Sequence, residues 1–243
     1  MSKKISLKQF LMKSGKFRKM QECIEAIRSG KISVNNKIIN NPNYFFNSKK
    51  SLVKTESKKI KKARKLYFLM NKPTGYLSQK AESDKTIYDL LNKMHLSQEE
   101  TNSLSAVGRL DKETEGLMII TNDGKLSDFI MHPKNEIIKR YNAVLENPIA
   151  DGSLKLLQKG VVIEIDDSKY KTTKCRIKKV KENEVYISIT EGKKRQIRKM
   201  FETVGNKVAY LKRVSIGGLA LGNLKAGDIK EISRQEIMEK LEI

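Results

Sequence analysis

The sequence predicts an α+β protein: a small N-terminal domain, followed by a larger domain with a mixed, largely antiparallel β-sheet flanked by a few helices. Three observations lead to this prediction. Short apolar runs typical of strands outnumber segments with a helical apolar period. The strands do not alternate regularly with helices, an order that would favour a parallel sheet. Positive charge is concentrated in the first quarter of the chain, which distinguishes that quarter from the remainder.

The charge restricts the partners that this chain can have. Its 243 residues include 50 Lys or Arg and 28 Asp or Glu, which gives a formal net charge of +22. Residues 1–65 hold 19 of the basic and 3 of the acidic residues, so they carry +16, whereas residues 66–243 carry only +6. A charge of this size is tolerated most easily by a protein whose partner is a polyanion. The asymmetry predicts a nucleic-acid-binding module at the N-terminus.

The same composition indicates a cytoplasmic protein. Cys23 and Cys175 are too few and too far apart for a disulfide framework, which favours a reducing compartment. The first residues lead into no apolar signal segment, and no run approaches the ~18 apolar residues that a membrane span needs. We therefore expect no membrane partner. Nothing in the sequence requires an oligomer, so we expect a monomer.

The N-terminal quarter contains a compact basic unit followed by a lysine-rich linker. Apolar spacing predicts a loose helix over 5–13, an amphipathic helix over 18–29 and two short strands around an Asn-Asn turn over 31–39. Residues 47–65 are dominated by Lys and Ser. Apart from a last strand near Leu52, a disordered tether is preferred there to a groove-binding helix. Both would attract phosphate groups.

The body begins at Leu66, and its apolar runs predict the strands of the sheet. A buried strand over 67–73 ends at a Pro-Thr-Gly turn, and a short helix follows over 86–94. The further predicted elements are strands over 139–146, 161–165, 172–180, 184–190, 208–211, 219–221 and 229–232, helices over 125–131 and 192–205, and a last helix that opens with a capping box at Ser233.

One stretch of the body, Ser105–Gly124 (SAVGRLDKETEGLMIITNDG), places a carboxylate just before a buried strand. Leu117–Thr121 is the predicted strand, and turn signals at Gly108-Arg109 and Glu115-Gly116 flank Asp111. A carboxylate on a tight loop at the mouth of a buried strand is held in position by the core behind it. Asp111 is therefore a candidate catalytic group.

Other kinds of site lack the residues that they need. His95 and His132 are far apart and near no cysteine, so no zinc spacing occurs. Neither a phosphate-binding loop nor a GxGxxG motif is found. The acidic residues after Asp111 imitate the start of a calcium loop, but Asn122 stands where its last ligand should be. Carboxylate chemistry without metal or cofactor remains, or no chemistry at all.

A second candidate element is the predicted helix over 192–205. Arg195 and Arg198 are three positions apart and should share a face beside its apolar stripe. A helix packed into the body could direct these guanidinium groups to a buried carboxylate and to phosphate. An ordinary basic helix face, or contacts with an RNA backbone, explains the same residues equally well.

The N-terminal unit resembles the small α-L RNA-binding domain named for the small-subunit ribosomal protein S-four. The resemblance rests on Gly15, Arg18, the helix end at Ile27–Gly30 and the following Ile32–Asn35. It implies that residues 1–60 form an S-four-like RNA-binding domain with its basic linker. The basic residues expected to contact RNA are Lys16, Arg18, Lys19, Arg28 and Lys31.

The body resembles the RNA pseudouridine synthases, in particular the RsuA/RluB type that modifies ribosomal RNA. The motif Gly108-Arg109-Leu110-Asp111-x-x-Thr114-x-Gly116-Leu117 looks like the central motif of that family. Lys139-Arg140-Tyr141 matches its tyrosine motif, and Glu191–Met200 matches its third motif. Leu211-Lys212-Arg213 follows in the family order. The resemblance implies a catalytic domain over 66–243.

For the chemistry, the resemblance implies isomerisation of a uridine in RNA to pseudouridine, without metal or cofactor. Asp111 would be the nucleophile, since an ionised carboxylate can attack or stabilise developing charge at the anomeric carbon. Arg198 would pair with Asp111 and keep it ionised and oriented. Tyr141 would stack on the base and take the C5 proton. Attack at C1′ and attack at C6 both remain open.

The resemblance also assigns substrate contacts. Leu211 would pack beneath the uracil, and Arg109 would fill the space left by the flipped nucleotide or bind its phosphate. Lys194 and Arg195, in the third motif, would contribute to substrate binding. The expected partner is ribosomal RNA, because the basic module supplies a surface for a folded RNA. Large-subunit rRNA is preferred to small-subunit rRNA.

Two alternatives remain open. The protein could be a transfer-RNA pseudouridine synthase of the same family, or a non-catalytic RNA-binding or ribosome-assembly factor whose body is only a docking platform. The sequence retains Asp111, Tyr141 and Arg198, which a degenerate body would be free to lose. This retention favours the enzyme over the docking platform.

Overall fold

The computed structural model describes residues 4–56 and 58–242. Residues 1–3, 57 and 243 belong to the predicted domains or linker and lie outside the described residues. The chain forms two compact units. The first contains the chain up to Leu66 together with Leu91–Ser105, and the second contains Tyr67–Leu90 and the chain from Ala106 onward.

The first unit is a small α/β module with its own core. In chain order its first segment forms β1 (Ile5–Ser6), α1 (Leu7–Ser14), α2 (Met20–Arg28), β2 (Ile32–Val34), β3 (Lys37–Ile38), β4 (Phe45–Phe46), β5 (Val53–Thr55) and β6 (Lys58–Lys59). The strands pair as β1–β4 and as a separate sheet in the order β3-β2-β5-β6. Leu7, Phe10, Leu11, Cys23 and Ile27 come from the two helices and pack into one apolar cluster.

The ends of α1 follow from its flanking residues. The Ser6 hydroxyl caps the N-terminus by accepting from the Gln9 amide at 3.4 Å. Gly15 ends the helix in the left-handed region, at φ +74°. A β-carbon at Gly15 would lie 1.7 Å from the carbonyl oxygen of Glu99, so this position also needs glycine because another part of the same unit approaches it closely.

The remaining elements follow in chain order. They are β7 (Tyr67–Lys72), α3 (Ile87–Leu91), a 3-10 helix (Asn92–Met94), α4 (Gln98–Ser103), β8 (Ser105–Ala106), β9 (Thr114–Thr121), α5 (Gly124–Met131), a second 3-10 helix (Pro133–Asn135), β10 (Lys139–Leu145), α6 (Asp151–Lys159), β11 (Val162–Ile165), β12 (Ser168–Lys171), β13 (Arg176–Lys181), β14 (Glu184–Ile189), α7 (Gln196–Glu202), β15 (Val208–Ile216), β16 (Leu219–Ala220), β17 (Ile229–Glu231) and α8 (Arg234–Leu241). As predicted, Ser233 caps α8, and its hydroxyl accepts from the Glu236 amide at 3.0 Å.

The second unit is organised on one large sheet, in the order β13-β14-β10-β15-β9-β7-β17. The adjacent strands in this order are antiparallel except β9 and β15, which are parallel. The prediction of an α+β protein with a mixed, largely antiparallel sheet is therefore confirmed. One face of the sheet packs Leu69, Leu117 and Ile119 against Ile237 and Leu241 of α8.

The parallel contact between β9 and β15 depends on Gly116. A β-carbon there would lie 2.3 Å from the carbonyl oxygen of Arg213 and 2.4 Å from its amide nitrogen, and Gly116 has a φ of +125°. Only glycine fits this close approach. The sequence-based prediction of a turn at Glu115-Gly116 is wrong, because both residues lie inside β9.

Several other expectations differ from the structure. The segment 47–65 contains β5 and β6 instead of being a tether throughout. The strand predicted over 172–180 begins only at Arg176, because the Thr172 amide bonds to the Val161 carbonyl and the Cys175 amide to the Gln158 carbonyl. Helices α4 and α6 were not predicted. Helix α6 buries only Leu154 and Leu157.

Candidate active site around Asp111

Asp111 lies in the loop that leads into β9, and hydrogen bonds hold the backbone on both sides of it. The Ser78 hydroxyl donates to the Leu110 carbonyl at 2.6 Å and accepts from the Leu110 amide at 2.9 Å. The Thr114 amide donates to the Asp111 carbonyl at 3.0 Å. These bonds fix the loop, while the Asp111 side chain is half-buried.

Lys72, at the end of β7, supports the same loop. It is fully buried, and its Nζ donates to the carbonyls of Pro73 at 2.8 Å and Lys112 at 3.3 Å. The Gly75 amide donates to the same Lys112 carbonyl at 2.8 Å. The carbonyl of Lys112, the residue after Asp111, is therefore held by two donors, one at the end of β7 and one just beyond it.

Buried charges surround this loop. Burial lowers the pKa of Lys72 to about 8, while the carboxylates of Glu113, Asp111 and Glu115 oppose that change and Arg213 adds to it. Within the described residues, the Asp111 carboxylate makes no hydrogen bond or ion pair within 4 Å, although its charge acts on both Lys72 and Arg198.

The sheet registers place two expected substrate contacts beside this loop. One row of Cα partners runs across four strands, from Lys72 through Gly116 and Arg213 to Tyr141. In the next row Leu211 lies between Thr114 and Ala143. Neighbouring residues in a row lie on the same face of a sheet. Tyr141 and Leu211 therefore lie on the same face of the sheet as Thr114, which follows Asp111 by three residues. Tyr141 is 8% exposed and Leu211 is 4% exposed.

Arg198 lies in the first turns of α7 and is 8% exposed. Its Nη1 donates to the Val208 carbonyl at 2.7 Å and its Nη2 to the Glu113 carbonyl at 3.4 Å. Burial is the main reason that its pKa is lowered, and the charge of Arg195 contributes, whereas Glu113 and Asp111 raise it. The guanidinium thus reaches the Asp111 loop through its backbone, and a direct pair with the Asp111 carboxylate stays a prediction.

The other expected substrate contacts are exposed. Arg195 lies just before α7 with a left-handed φ of +52°, so the prediction that it shares a helix face with Arg198 is wrong. Its guanidinium lies 3.3 Å from Glu113, and the Lys194 ammonium lies 2.5 Å from Asp166. Arg109 is exposed in the Asp111 loop.

The five residues expected to contact RNA belong to the first unit, and the side chains of all five are exposed. Lys16, Arg18 and Lys19 lie between α1 and α2, Arg28 ends α2, and Lys31 precedes β2. Their exposure is compatible with binding a polyanion, and their role stays a prediction.

Sequence reasoning missed the residues that hold the Asp111 loop. Ser78 follows no recognisable signal, because its partner is 32 positions away in the chain. The sequence did contain a signal for Lys72, because this lysine closely follows the apolar run Leu66–Met70, where a buried charge needs partners. The approach of Gly116 to Arg213 could not be read from the chain either, since it depends on which strands are neighbours.

The described residues contain no group of three or more His, Cys, Asp or Glu side chains arranged to hold a metal ion. None of the helices in the described part of the chain is long and apolar enough to cross a membrane.

Two curated relatives cover most of this chain. The ribosomal large subunit pseudouridine synthase B of Bacillus subtilis strain 168 is 31% identical over 219 residues, which are 88% of this chain and 86% of the relative. The ribosomal small subunit pseudouridine synthase A of Escherichia coli strain K12 is 29% identical over 214 residues, which are 87% and 89% of the two chains. Relatives named for different ribosomal subunits thus match this chain almost equally.

A solved structure described as a pseudouridylate synthase matches the whole fold. It has a TM-score of 0.70 and 26% sequence identity, and the match covers 98% of this chain and 99% of that one. The family model for RNA pseudouridylate synthase matches residues 66–203, which include Asp111, Tyr141 and Arg198. Together with the geometry around Asp111, these matches show that the chain is an enzyme of the RNA pseudouridylate synthase family, which isomerises uridine in RNA.

Proposed function

We propose that this enzyme converts a uridine of large-subunit ribosomal RNA to pseudouridine, with Asp111 as the nucleophile. The observation that carries the proposal is the state of Asp111. Its backbone is held by Ser78, Thr114 and the donors to Lys112, while its carboxylate has no hydrogen-bond partner among the described residues. A nucleophile needs this combination of fixed position and free reacting atom.

Unpartnered polar atoms near the loop support a polar ligand there. Thr114 Oγ1, Arg198 Nε and Arg213 Nη2 are buried and have no hydrogen-bond partner in the described structure. Buried polar groups are normally hydrogen-bonded, so their partners are expected to come from outside the chain or from water. Uracil, with two carbonyl oxygens and one imide N–H, offers such partners.

The proposed reaction is balanced within the substrate. The C1′–N1 bond breaks, the uracil turns and a C1′–C5 bond forms, while C5 loses its proton and N1 gains one. Asp111 attacks and is released, so it is not consumed. Arg198 keeps the carboxylate ionised through its charge. Tyr141 stacks on the base and accepts the C5 proton, and Leu211 packs beneath the ring.

The remaining roles concern binding. Arg109, exposed in the Asp111 loop, stabilises the extruded nucleotide or its phosphate. Lys194 and Arg195 bind substrate phosphates by exchanging their exposed pairs with Asp166 and Glu113 for the RNA backbone.

The choice of RNA rests on composition and relatives. Residues 1–60 are assigned as an S-four-like RNA-binding domain and residues 66–243 as the catalytic domain, because +16 of the charge lies in the first 65 residues. A monomer acting on ribosomal RNA in the cytoplasm accounts for these features. The large-subunit assignment follows the relative with the slightly higher identity.

Asp111→Asn tests the nucleophile. The variant keeps the size of the side chain and removes its charge, so pseudouridine formation in total rRNA transcripts should be abolished while RNA affinity stays within a few-fold. Asp128→Asn, an exposed aspartate on α5, is the matched control and should retain full activity. Turnover of Asp111→Asn near that of the control would refute the assignment.

The substrate is tested by mapping pseudouridines in a strain that lacks this gene. Loss of a single modification from large-subunit rRNA, restored by the wild-type gene and not by Asp111→Asn, is the expected result. Loss from small-subunit rRNA or from tRNA instead would contradict the large-subunit assignment and leave the chemistry standing.

A further inference from the structure

The first unit exposes two adjacent aromatic side chains on a well-held backbone. Phe45 is 60% exposed and Tyr44 is 39% exposed. β4 pairs with β1 so that Phe45 lies opposite Ser6, and the Leu7 amide donates to the Tyr44 carbonyl at 2.9 Å. Exposed rings held in a fixed position offer a contact surface that loses little conformational entropy on binding.

One of these rings, Tyr44, extends an aromatic cluster in the core of the unit. Phe46 is 4% exposed and meets Phe10 edge to face, with ring centroids 5.4 Å apart. The ring of Tyr44 stacks nearly parallel on Phe46 with a centroid distance of 6.3 Å. The cluster therefore supports Tyr44 from behind and leaves Phe45, on the opposite side of β4, directed to solvent.

Lysines gather at the same cluster. The Lys62 ammonium lies 5.7 Å from the centroid of the Phe10 ring and donates to the Ser48 hydroxyl at 2.9 Å. Burial lowers the pKa of Lys62, and the charges of Lys13, Lys65 and Lys49 lower it further. The charges that act most strongly on Lys62 are thus ammonium groups, whose mutual repulsion an added anion would relieve.

A chain of phosphates with accessible bases fits both features. Lysines bind the backbone of nucleic acids, and aromatic rings stack on bases that are not paired. A duplex would satisfy the lysines and leave the rings unused, because its bases are stacked inside the helix. We propose that the aromatic–lysine face, formed by Lys13, Tyr44, Lys49 and Lys62, binds an unpaired segment of the RNA substrate, with phosphates on the lysines and a base on Tyr44.

This face is separate in residues from the set already expected to contact RNA, Lys16, Arg18, Lys19, Arg28 and Lys31. The inference rests on the proposed function in so far as it takes RNA as the partner. It adds that part of the bound RNA is single-stranded and that stacking contributes to affinity as well as charge.

Stacking is tested with the full chain and two labelled RNAs, an oligouridine of about twelve nucleotides and a duplex of similar length. Tyr44→Ala should weaken binding to the single strand about tenfold, as expected for the loss of one stacked base, and leave binding to the duplex unchanged. Tyr44→Trp should retain affinity. Phe45→Ala, which removes an exposed ring on the opposite side of β4, is the matched control and should change neither affinity. Because Tyr44 and Phe45 are both exposed, thermal unfolding of the variants should stay close to wild type.

The charge contribution is separated by salt dependence. Lys49→Gln/Lys62→Gln should reduce the slope of log K against log salt by about 1 to 1.5 for the single strand, since each lost phosphate contact contributes about 0.7. Tyr44→Ala should leave that slope unchanged. Lys58→Gln/Lys59→Gln, on β6 of the same unit, removes equal charge and should change the slope less.

Three results would overturn the proposal: single-strand affinity unaffected by Tyr44→Ala, equal weakening for single strand and duplex, or an equal effect of the Lys58/Lys59 pair. Reduced binding of the Lys49/Lys62 variant to phosphatidylglycerol vesicles with unchanged RNA binding would assign the face to lipid instead. Failure here is distinguishable from failure of the proposed reaction, because Asp111→Asn tests product formation and these variants test binding by the first unit.

Discussion

The basic side chains considered in the two units differ in their exposure. In the first unit the basic side chains expected to meet RNA are all exposed. In the second unit Lys72, Arg198 and Arg213 are between 0% and 8% exposed, and each donates to at least one backbone carbonyl.

This difference in exposure corresponds to two roles: exposed cations attract RNA, and buried cations position the protein backbone. An exposed ammonium attracts phosphates over about 10 Å, and its exact position matters little. A buried cation must find acceptors in the protein, so it holds the carbonyls that it contacts in one place. Substitution should therefore change RNA affinity in the first unit, and stability or turnover in the second.

The largest expected effect concerns the close contact in the second unit. Gly116→Ala places a β-carbon against the backbone of Arg213 and strains a φ of +125°, so the unfolding free energy should fall by about 3 to 5 kcal/mol. Urea unfolding measures it. Gly152→Ala in α6 has free space and is a control that should stabilise slightly. Similar behaviour of the two variants would contradict the role of Gly116.

Neutralising the basic set of the first unit tests the other side of the comparison. Replacing Lys16, Arg18, Lys19, Arg28 and Lys31 by Gln should weaken rRNA binding by about a hundredfold at physiological salt and flatten its salt dependence. Thermal stability should change little, because these side chains are exposed. Filter binding over a salt series measures both quantities, and an unchanged slope would refute the role of these residues.

Ser78→Ala should act on the Asp111 loop with a smaller effect. It removes two hydrogen bonds to the buried Leu110 backbone, so stability should fall by about 1 to 3 kcal/mol and kcat should fall more than KM rises. Ser127→Ala, on α5, is the control. Stability loss with normal kcat would show that Ser78 supports the fold without positioning Asp111.

A pH slope from Lys72 tests the buried cations of the second unit. Its pKa is about 8 in the folded protein against 10.5 when unfolded, so between these values the unfolded chain binds more protons and Lys72 makes stability rise with pH. Below pH 8 the buried charge of Lys72 lowers the free energy of unfolding by its full amount. Above pH 10.5 this destabilisation disappears, because Lys72 is then neutral in both states. Lys72→Met should lack this rise in chemical unfolding between pH 8 and 10. The exposed Lys134→Met should keep it, and parallel curves for all three proteins would contradict the burial of a titrating Lys72.

Much of the fold was predictable because the signals are local. The amphipathic helix over 18–29, the strand that became β7 and the cap at Ser233 follow from residues within a few positions of one another. Arg195 was misplaced because a left-handed residue before α7 leaves no clear mark in the sequence. Strand β9 began earlier than expected because a glycine, normally a turn residue, lies inside it.

By itself the sequence determined the class of fold and the charge asymmetry, and its resemblance to a known family supplied the candidate residues Asp111, Tyr141 and Arg198. Composition and short-range periodicity depend only on residue types and on neighbours in the chain, so both can be assessed without knowing the fold. Tertiary structure decided what holds these residues, namely Ser78, 32 positions from its partner, and the row from Lys72 to Tyr141 across four strands. Such contacts depend on which distant strands become neighbours, and that is settled only when the sheet forms.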